Sequence, residues 1–77
     1  ITTIFYDLPI DSKIELVIYD ILGRKVITLI NGFQEKGYKT VQWKGLGQNG
    51  IKVSSGIYFY RLLSEDYMAT KKMIFLK

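Results

Sequence analysis

Apolar and polar residues alternate at period two along much of the chain, and this pattern limits the fold more than any other feature. Ile14, Leu16 and Ile18 fall on one face of an extended strand, while Lys13 and Glu15 fall on the other. Because successive side chains of a strand point to opposite faces, the alternation predicts half-buried β-strands and no helix. Glycine, asparagine, aspartate and serine cluster between the runs, as they do in turns that connect strands.

Seven such runs predict a single domain over residues 1–77. The runs cover residues 2–7, 13–20, 24–30, 38–44, 51–53, 57–63 and 67–76. Short strands at near-regular spacing are typical of a sandwich, so the predicted fold is all-β, a seven-stranded antiparallel immunoglobulin-like β-sandwich. The third run has apolar residues on both faces, which predicts either two covered faces or a β-bulge.

Five residues are predicted to make structural turns. Asp20 and Gly23 stand first and fourth in the segment DILG, which is the signature of a type I turn. Gly32 follows an asparagine, Gly37 ends the next loop, and Gly50 closes a glycine-rich loop between two runs. Glycine is suited to such positions because it adopts backbone angles that other residues resist.

Composition argues against catalysis. The chain has no histidine and no cysteine, which removes disulfides, thiolate metal ligands and the commonest general base. The carboxylates have structural explanations at turns or on polar strand faces, and the glycine-rich loop lacks the following helix of a phosphate loop. We therefore predict no enzyme, no catalytic residue, no metal and no cofactor, although scattered loop oxygens leave a weak calcium site open. A dispersed net charge of +4 predicts no nucleic-acid partner.

Five segments carry more specific motifs. They are TTIFYDLP at 2–9, VIYDILGRKV at 17–26, GYKTVQW at 37–43, NGIKVSSGIYFYR at 49–61 and KMIFLK at 72–77. In this order they resemble the C-terminal sorting domains of the type IX (Por) secretion system. The Ig-like domain of the flagellar hook-capping protein is similar in the central motifs.

The resemblance implies a role in export. Sorting domains of this family are Ig-like sandwiches at the end of larger secreted proteins, so residues 1–77 are expected to follow a cargo domain in the same polypeptide. After Sec export, the outer-membrane translocon would recognise the domain and a sortase-like peptidase would often remove it. The expected location is the cell surface or the extracellular space of a Gram-negative bacterium, reached through the periplasm.

Recognition is placed, as a hypothesis, at Gly56, Tyr58, Lys71, Lys72 and Lys77. Lysines on an edge strand have two readings: they block pairing with other chains, or they meet an acidic receptor. Two other functions stay open. One is a structural Ig-like module of a hook-cap-like or cell-surface protein, and the other is a carbohydrate-binding module that stacks sugars on exposed aromatic rings.

Overall fold

The computed structural model describes residues 1–77 and contains six β-strands in two antiparallel sheets. The strands are β1 (Thr2–Leu8), β2 (Ser12–Asp20), β3 (Lys25–Gln34), β4 (Gly37–Trp43), β5 (Gly56–Ser64) and β6 (Tyr67–Phe75). One sheet pairs β1 with β4, and the other has the order β3-β2-β5-β6. The all-β prediction is confirmed. No helix long and apolar enough to cross a membrane is present.

The core lies between the two sheets and follows the alternation of the sequence. Its ten buried residues are Ile4, Tyr6 and Leu8 of β1, Ile14, Leu16 and Ile18 of β2, Trp43 of β4, Tyr58 and Leu62 of β5, and Phe75 of β6. Each buried large aliphatic side chain contributes roughly 1.5–3 kcal/mol through removal of its apolar surface from water. A chain of this length depends on such residues, because a small domain buries a small fraction of its surface.

An aromatic cluster joins the sheets at one end of the core. The ring centroid of Trp43 lies 5.0 Å from that of Tyr58 and 5.0 Å from that of Phe75. The polar atoms of these rings are satisfied, since Trp43 Nε1 donates to Leu46 O at 3.0 Å and the Tyr58 hydroxyl donates to Ser54 O at 2.7 Å. The cluster therefore fixes β4 over the β5–β6 half of the larger sheet.

A hydrogen bond fixes the other half of the sandwich. The hydroxyl of Tyr6, on β1, donates to Gln34 Oε1, on β3, at 2.5 Å. Burial raises the pKa of the Tyr6 hydroxyl, and the bond to Gln34 opposes that rise. With β1 near β3 and β4 near β6, the outer edges of β4 and β6 lie on the same side of the molecule.

The β2–β3 turn has the predicted form. Gly23 N donates to Asp20 O at 2.9 Å, and no residue other than glycine has a positive φ, as a type I turn requires. The Asp20 carboxylate accepts bonds from the backbone N–H groups of Leu22 and Arg24 and pairs with Arg24 Nε at 2.8 Å. The backbone bond from Arg24 is the main reason that the pKa of Asp20 lies below its ordinary value. Gly23, at φ +83°, takes the left-handed angle that follows the turn.

The predicted seventh strand is absent. Residues 51–53 make only an isolated bridge, from Lys52 to Leu46, and Val53 N donates to Gly45 O at 2.8 Å. The segment folds back on the loop that precedes it, which uses its backbone groups locally and leaves no ladder with either sheet. The prediction of seven strands was therefore wrong by this one short run.

The predicted turn at Gly32 was also wrong. Gly32 lies within β3 and pairs with Ile14 of β2, so the strand continues to Gln34. Pairing with the start of β2 overrides the local turn signal, because the ladder provides partners for the backbone. By contrast, Gly37 and Gly50 have positive φ, and Gly50 N donates to Gly47 O across its turn.

The irregular third run contains bulges. The β2–β3 register shifts between Leu16 and Val17 and again between Ile18 and Tyr19. One extra residue of β3 is accommodated at each shift, so consecutive apolar residues, Val26 with Ile27 and Leu29 with Ile30, all pack against the core. This confirms the bulge alternative of the sequence prediction.

Candidate interaction site

Of the predicted recognition residues, Tyr58 belongs to the core, and Gly56 lies half-buried at the start of β5. Gly56 begins β5 opposite Phe75, and Tyr58 is only 7% exposed, with its hydroxyl bonded to Ser54. Tyr58 packs in the core and Gly56 lies where the chain enters β5, so the fold alone accounts for the presence of both residues. A role for them in recognition stays a prediction.

The three predicted lysines do not form one patch. Lys71 lies opposite Tyr60 on the core-facing side of β6, whereas Lys72 lies opposite Phe59 on the outer face of the sheet. Lys77 lies beyond β6, where its backbone N–H donates to Ser55 Oγ at 3.0 Å. Any single flat partner would therefore meet one of these positions and not all of them.

The largest concave surface is a groove on the open side of the sandwich, with a volume of about 540 Å³. We call it the β4–β6 groove; its inner wall includes Tyr6, Lys39, Tyr60, Tyr67 and Lys71. Seven of its twelve lining residues are hydrophobic, so it combines apolar surface with a small number of charges. Such grooves are common places for a partner to bind.

Lys39 is the residue of this groove that the sequence prediction missed. It pairs with Tyr6 across β1 and β4, and it is half-buried, unlike most lysines. Its position had a signal, because Lys39, Val41 and Trp43 share one face of β4 by simple alternation. The parity of the strand thus places Lys39 on the same face as the buried Trp43.

The charges of the groove are unbalanced. Asp20–Arg24 is the one ion pair of the protein, so neither Lys39 nor Lys71 has a carboxylate partner within 4.0 Å. Asp7 is the one carboxylate that lines the groove, against these two lysines. The groove therefore has a net positive charge that no group of the chain neutralises by direct contact.

The edges of the larger sheet differ. At the β3 edge, Gln48 N donates to Val26 O at 2.9 Å, and Gln48 Oε1 accepts from Thr28 N at 3.2 Å. The loop that contains Gln48 thus covers part of this edge. The β6 edge has no pairing strand on its outer side, and the same holds for β4 in the smaller sheet.

The outer face of the larger sheet has a charged residue among apolar ones. The Arg61 guanidinium lies 5.0 Å from the centre of the Tyr19 ring, and Arg61 Nε is buried without a hydrogen-bond partner. Arg61 also stands opposite Val17, whose side chain is 1% exposed. Its aliphatic stem and the Tyr19 ring are well placed to cover Val17 on this face.

Carboxylates nowhere gather in a group of three that could hold a metal ion. Trp43 is 1% exposed, so its ring cannot stack on a sugar, whereas Tyr38 is 91% exposed beside the groove. The surface presents a groove, strand edges at β1, β4 and β6 that have no pairing strand, and lysines without a carboxylate partner.

Comparison with known families agrees with this architecture. The model of the FlgD Ig-like domain matches residues 2–66, well over half of the chain. The chain belongs to the FlgD Ig-like domain family. No curated protein and no solved structure matches it significantly. Membership of the FlgD Ig-like domain family fits the β-sandwich described above, and it identifies the chain as an Ig-like module.

Proposed function

We propose that this FlgD Ig-like domain is a non-catalytic module of a larger secreted protein and acts as its type IX sorting signal. The observation that carries the proposal is the resemblance at the end of the chain. Residues 72–77 resemble the closing segment of the sorting domains, and they lie beyond residues 2–66, to which the FlgD match extends. The final strand is thus the part that favours sorting over the general Ig-like role.

The other motif residues support the fold and do not separate the two roles. Tyr6 and Trp43 are core residues, Asp20 and Gly23 build the β2–β3 turn, and Tyr58 packs against Trp43. Any Ig-like domain with this core and this turn would share them. Information that distinguishes one function from another is therefore expected on the surface, above all on β6.

The roles of the side chains support a non-catalytic function. The most strongly bonded carboxylate, Asp20, is held by its own turn and by Arg24, and so it is committed to structure. Without cysteine the chain has no thiol nucleophile, and without histidine a serine nucleophile would lack its usual activating base. The partners under this proposal are the outer-membrane translocon, a sortase-like peptidase and an upstream cargo domain, and the destination is the cell surface or the medium.

A second candidate function is a structural Ig-like module within a hook-cap-like or cell-surface protein. The family match favours this role, because the family that matches residues 2–66 is the FlgD Ig-like domain family. In that role the domain would serve as a spacer or an assembly contact and would carry no export information.

The experiment places residues 1–77 behind a Sec-exported fluorescent protein. The fusion is expressed in a type IX-competent host and in a translocon-deficient strain of the same host. Sorting predicts fluorescence outside the competent cells and in the periplasm of the deficient ones. The structural role predicts periplasmic fluorescence in both strains, and the reporter without the domain controls for leakage.

A second comparison tests the lysine assignment. Replacing Lys71, Lys72 and Lys77 with serine removes three exposed charges without removing core contacts. If these lysines carry recognition, the folded triple variant should lose most of the export of the fusion. Undiminished export would remove the lysines from the proposal and leave the sorting role itself intact.

A further inference from the structure

The free edge of β6 is built to accept another strand. β6 is nine residues long, pairs only with β5, and is exposed over most of its length. Alternate N–H and C=O groups along its outer side have no strand partner, which makes it a template for an added strand. The β3 edge of the same sheet is partly blocked by Gln48, so the two edges are not equivalent.

The charged side chains beside this edge favour an added strand of negative charge. Lys71 lies on the core-facing side of β6, and Lys39 faces the same groove from β4. A strand added to β6 would direct every second side chain into the groove, between these two ammonium groups. Both lysines lack a carboxylate partner within the chain, so a carboxylate of the incoming strand would provide one.

We propose that the β4–β6 groove binds an extended acidic segment of a partner protein, which adds to β6 as a seventh strand. Its carboxylates would face Lys39 and Lys71 in the groove, and its apolar residues, on the opposite face of the added strand, would lie beside the exposed side chains of Met68 and Ile74 on the outer face of β6. Main-chain bonds to β6 would provide most of the affinity, and the lysines would provide the selectivity. This interaction does not depend on whether the domain acts in sorting or as a structural module.

A second copy of the same chain is a poorer occupant. Antiparallel pairing of two β6 edges would bring Lys71 and Lys72 of both copies into one sheet, and like charges across strands are destabilising. The net charge of +4 adds to this repulsion. The charges of the edge thus favour a different chain of opposite sign.

The probe is a blocked seven-residue peptide that alternates valine and glutamate; a matched peptide has lysine in place of glutamate. Its length equals that of β4, which covers the groove from the other side. Amide NMR of residues 1–77 follows each titration up to about 1 mM, the range of weak specific binding. With the glutamate peptide we expect saturable chemical-shift changes and slowed amide exchange along β6. The lysine peptide should bind at least about tenfold more weakly, because one favourable charge contact is enough to change a dissociation constant tenfold.

Lys71→Glu and Lys72→Glu form a matched pair, because they make the same charge change at adjacent positions on opposite faces of β6. We expect Lys71→Glu to weaken binding of the glutamate peptide about tenfold and Lys72→Glu to weaken it less than about threefold. The double variant Lys39→Glu with Lys71→Glu should prefer the lysine peptide. Both single positions are exposed, so the spectra of the free variants should keep the pattern of the folded domain.

Four results would overturn the proposal. One is the absence of saturable binding of the glutamate peptide. Another is an equal effect of the two single substitutions, which would show attraction to net charge and not to the groove. The third is a pattern of shifts centred on β1 or β3. A glutamate peptide whose alternate residues are proline should bind far more weakly, because proline cannot donate to a ladder; equal binding would exclude strand addition.

Discussion

The ring of Phe75 lies directly over Gly45, so closely that a Cβ at position 45 would come within 2.1 Å of Phe75 Cζ. Gly45 also has φ +76°, in the left-handed region that side chains disfavour. Phe75 cannot swing away freely because Trp43 packs against its ring at 5.0 Å. The glycine therefore permits the contact that closes this end of the core.

Gly45→Ala should destabilise the domain by about 2–4 kcal/mol, as the sum of a left-handed backbone angle and an overpacked core. Gly50→Ala is the matched control, because Gly50 has φ +79° with nothing within 4 Å of the added Cβ. The control should lose only about 1–2 kcal/mol. Urea unfolding followed by the fluorescence of Trp43 measures both; equal losses would show that Phe75 does not restrict position 45.

Asp20 should make stability fall at acid pH. Its folded pKa lies below the ordinary value of 3.8, so the carboxylate stabilises the fold above that pH. This contribution is lost as the pH falls through the folded pKa. The free energy of unfolding, measured from pH 6 down to pH 2 (roughly the span of carboxylate titration), should decline less steeply for Asp20→Asn than for the unchanged domain.

Arg24→Gln separates the causes of the lowered pKa of Asp20. The substitution removes the guanidinium but keeps the backbone N–H of residue 24, which makes the largest contribution to the lowered pKa of Asp20. Arg24→Gln should therefore keep the greater part of the acid dependence that Asp20→Asn loses. A flat acid profile for Arg24→Gln would mean that the ion pair, and not the turn, sets the pKa of Asp20.

Local signals in the sequence were enough to predict the β2–β3 turn and the buried face of β2. The Asp20–Gly23 turn closes through bonds within five residues of chain, and Ile14, Leu16 and Ile18 are all buried as the alternation predicts. Both features depend on near neighbours and on strand parity, which the sequence displays directly. The burial of Val17 on the opposite face depends on Arg61, which lies on a different strand.

The features that sequence did not predict depend on pairing between distant segments. Gly32 is a strand residue because Ile14 lies opposite it, and residues 51–53 are no strand because Gly45 and Gly47 take their backbone bonds. The separation of Lys71 from Lys72, and the meeting of Lys71 with Lys39, follow from register and from the stacking of the sheets. These relationships are not encoded in any single run of residues.

Tyr6→Phe should weaken the contact between the sheets. The substitution removes the hydroxyl that donates to Gln34, with an expected loss of about 1 kcal/mol. The raised pKa of Tyr6 has a second consequence, because stability from the neutral hydroxyl is present below pH 10.0 and lost as the pH rises through the folded pKa. The unchanged domain should therefore lose stability more steeply above pH 10.0 than Tyr6→Phe does.

Tyr38→Phe is the control for that measurement, since Tyr38 is 91% exposed and its hydroxyl makes no hydrogen bond within the chain. Its stability at neutral pH should stay within about 0.5 kcal/mol of the unchanged domain, as for most surface substitutions. A loss as large as that of Tyr6→Phe would show that the hydroxyl of Tyr6 does not hold the sheets together.

Trp43→Ala should unfold the domain or come close to it. The ring is 1% exposed and contacts both Tyr58 and Phe75, and a truncation of this kind removes about 3–5 kcal/mol. Circular dichroism and the dispersion of amide NMR signals would report the loss of the sandwich. Native spectra with unchanged thermal stability would contradict the assignment of Trp43 to the centre of the core.

The most direct test of the proposed function is the location of the fluorescent reporter fused to residues 1–77. The sorting role predicts that the type IX-competent host releases the reporter or displays it at its surface, while the translocon-deficient strain retains it in the periplasm. Periplasmic retention of a folded fusion in both strains would contradict sorting and would favour the structural Ig-like role.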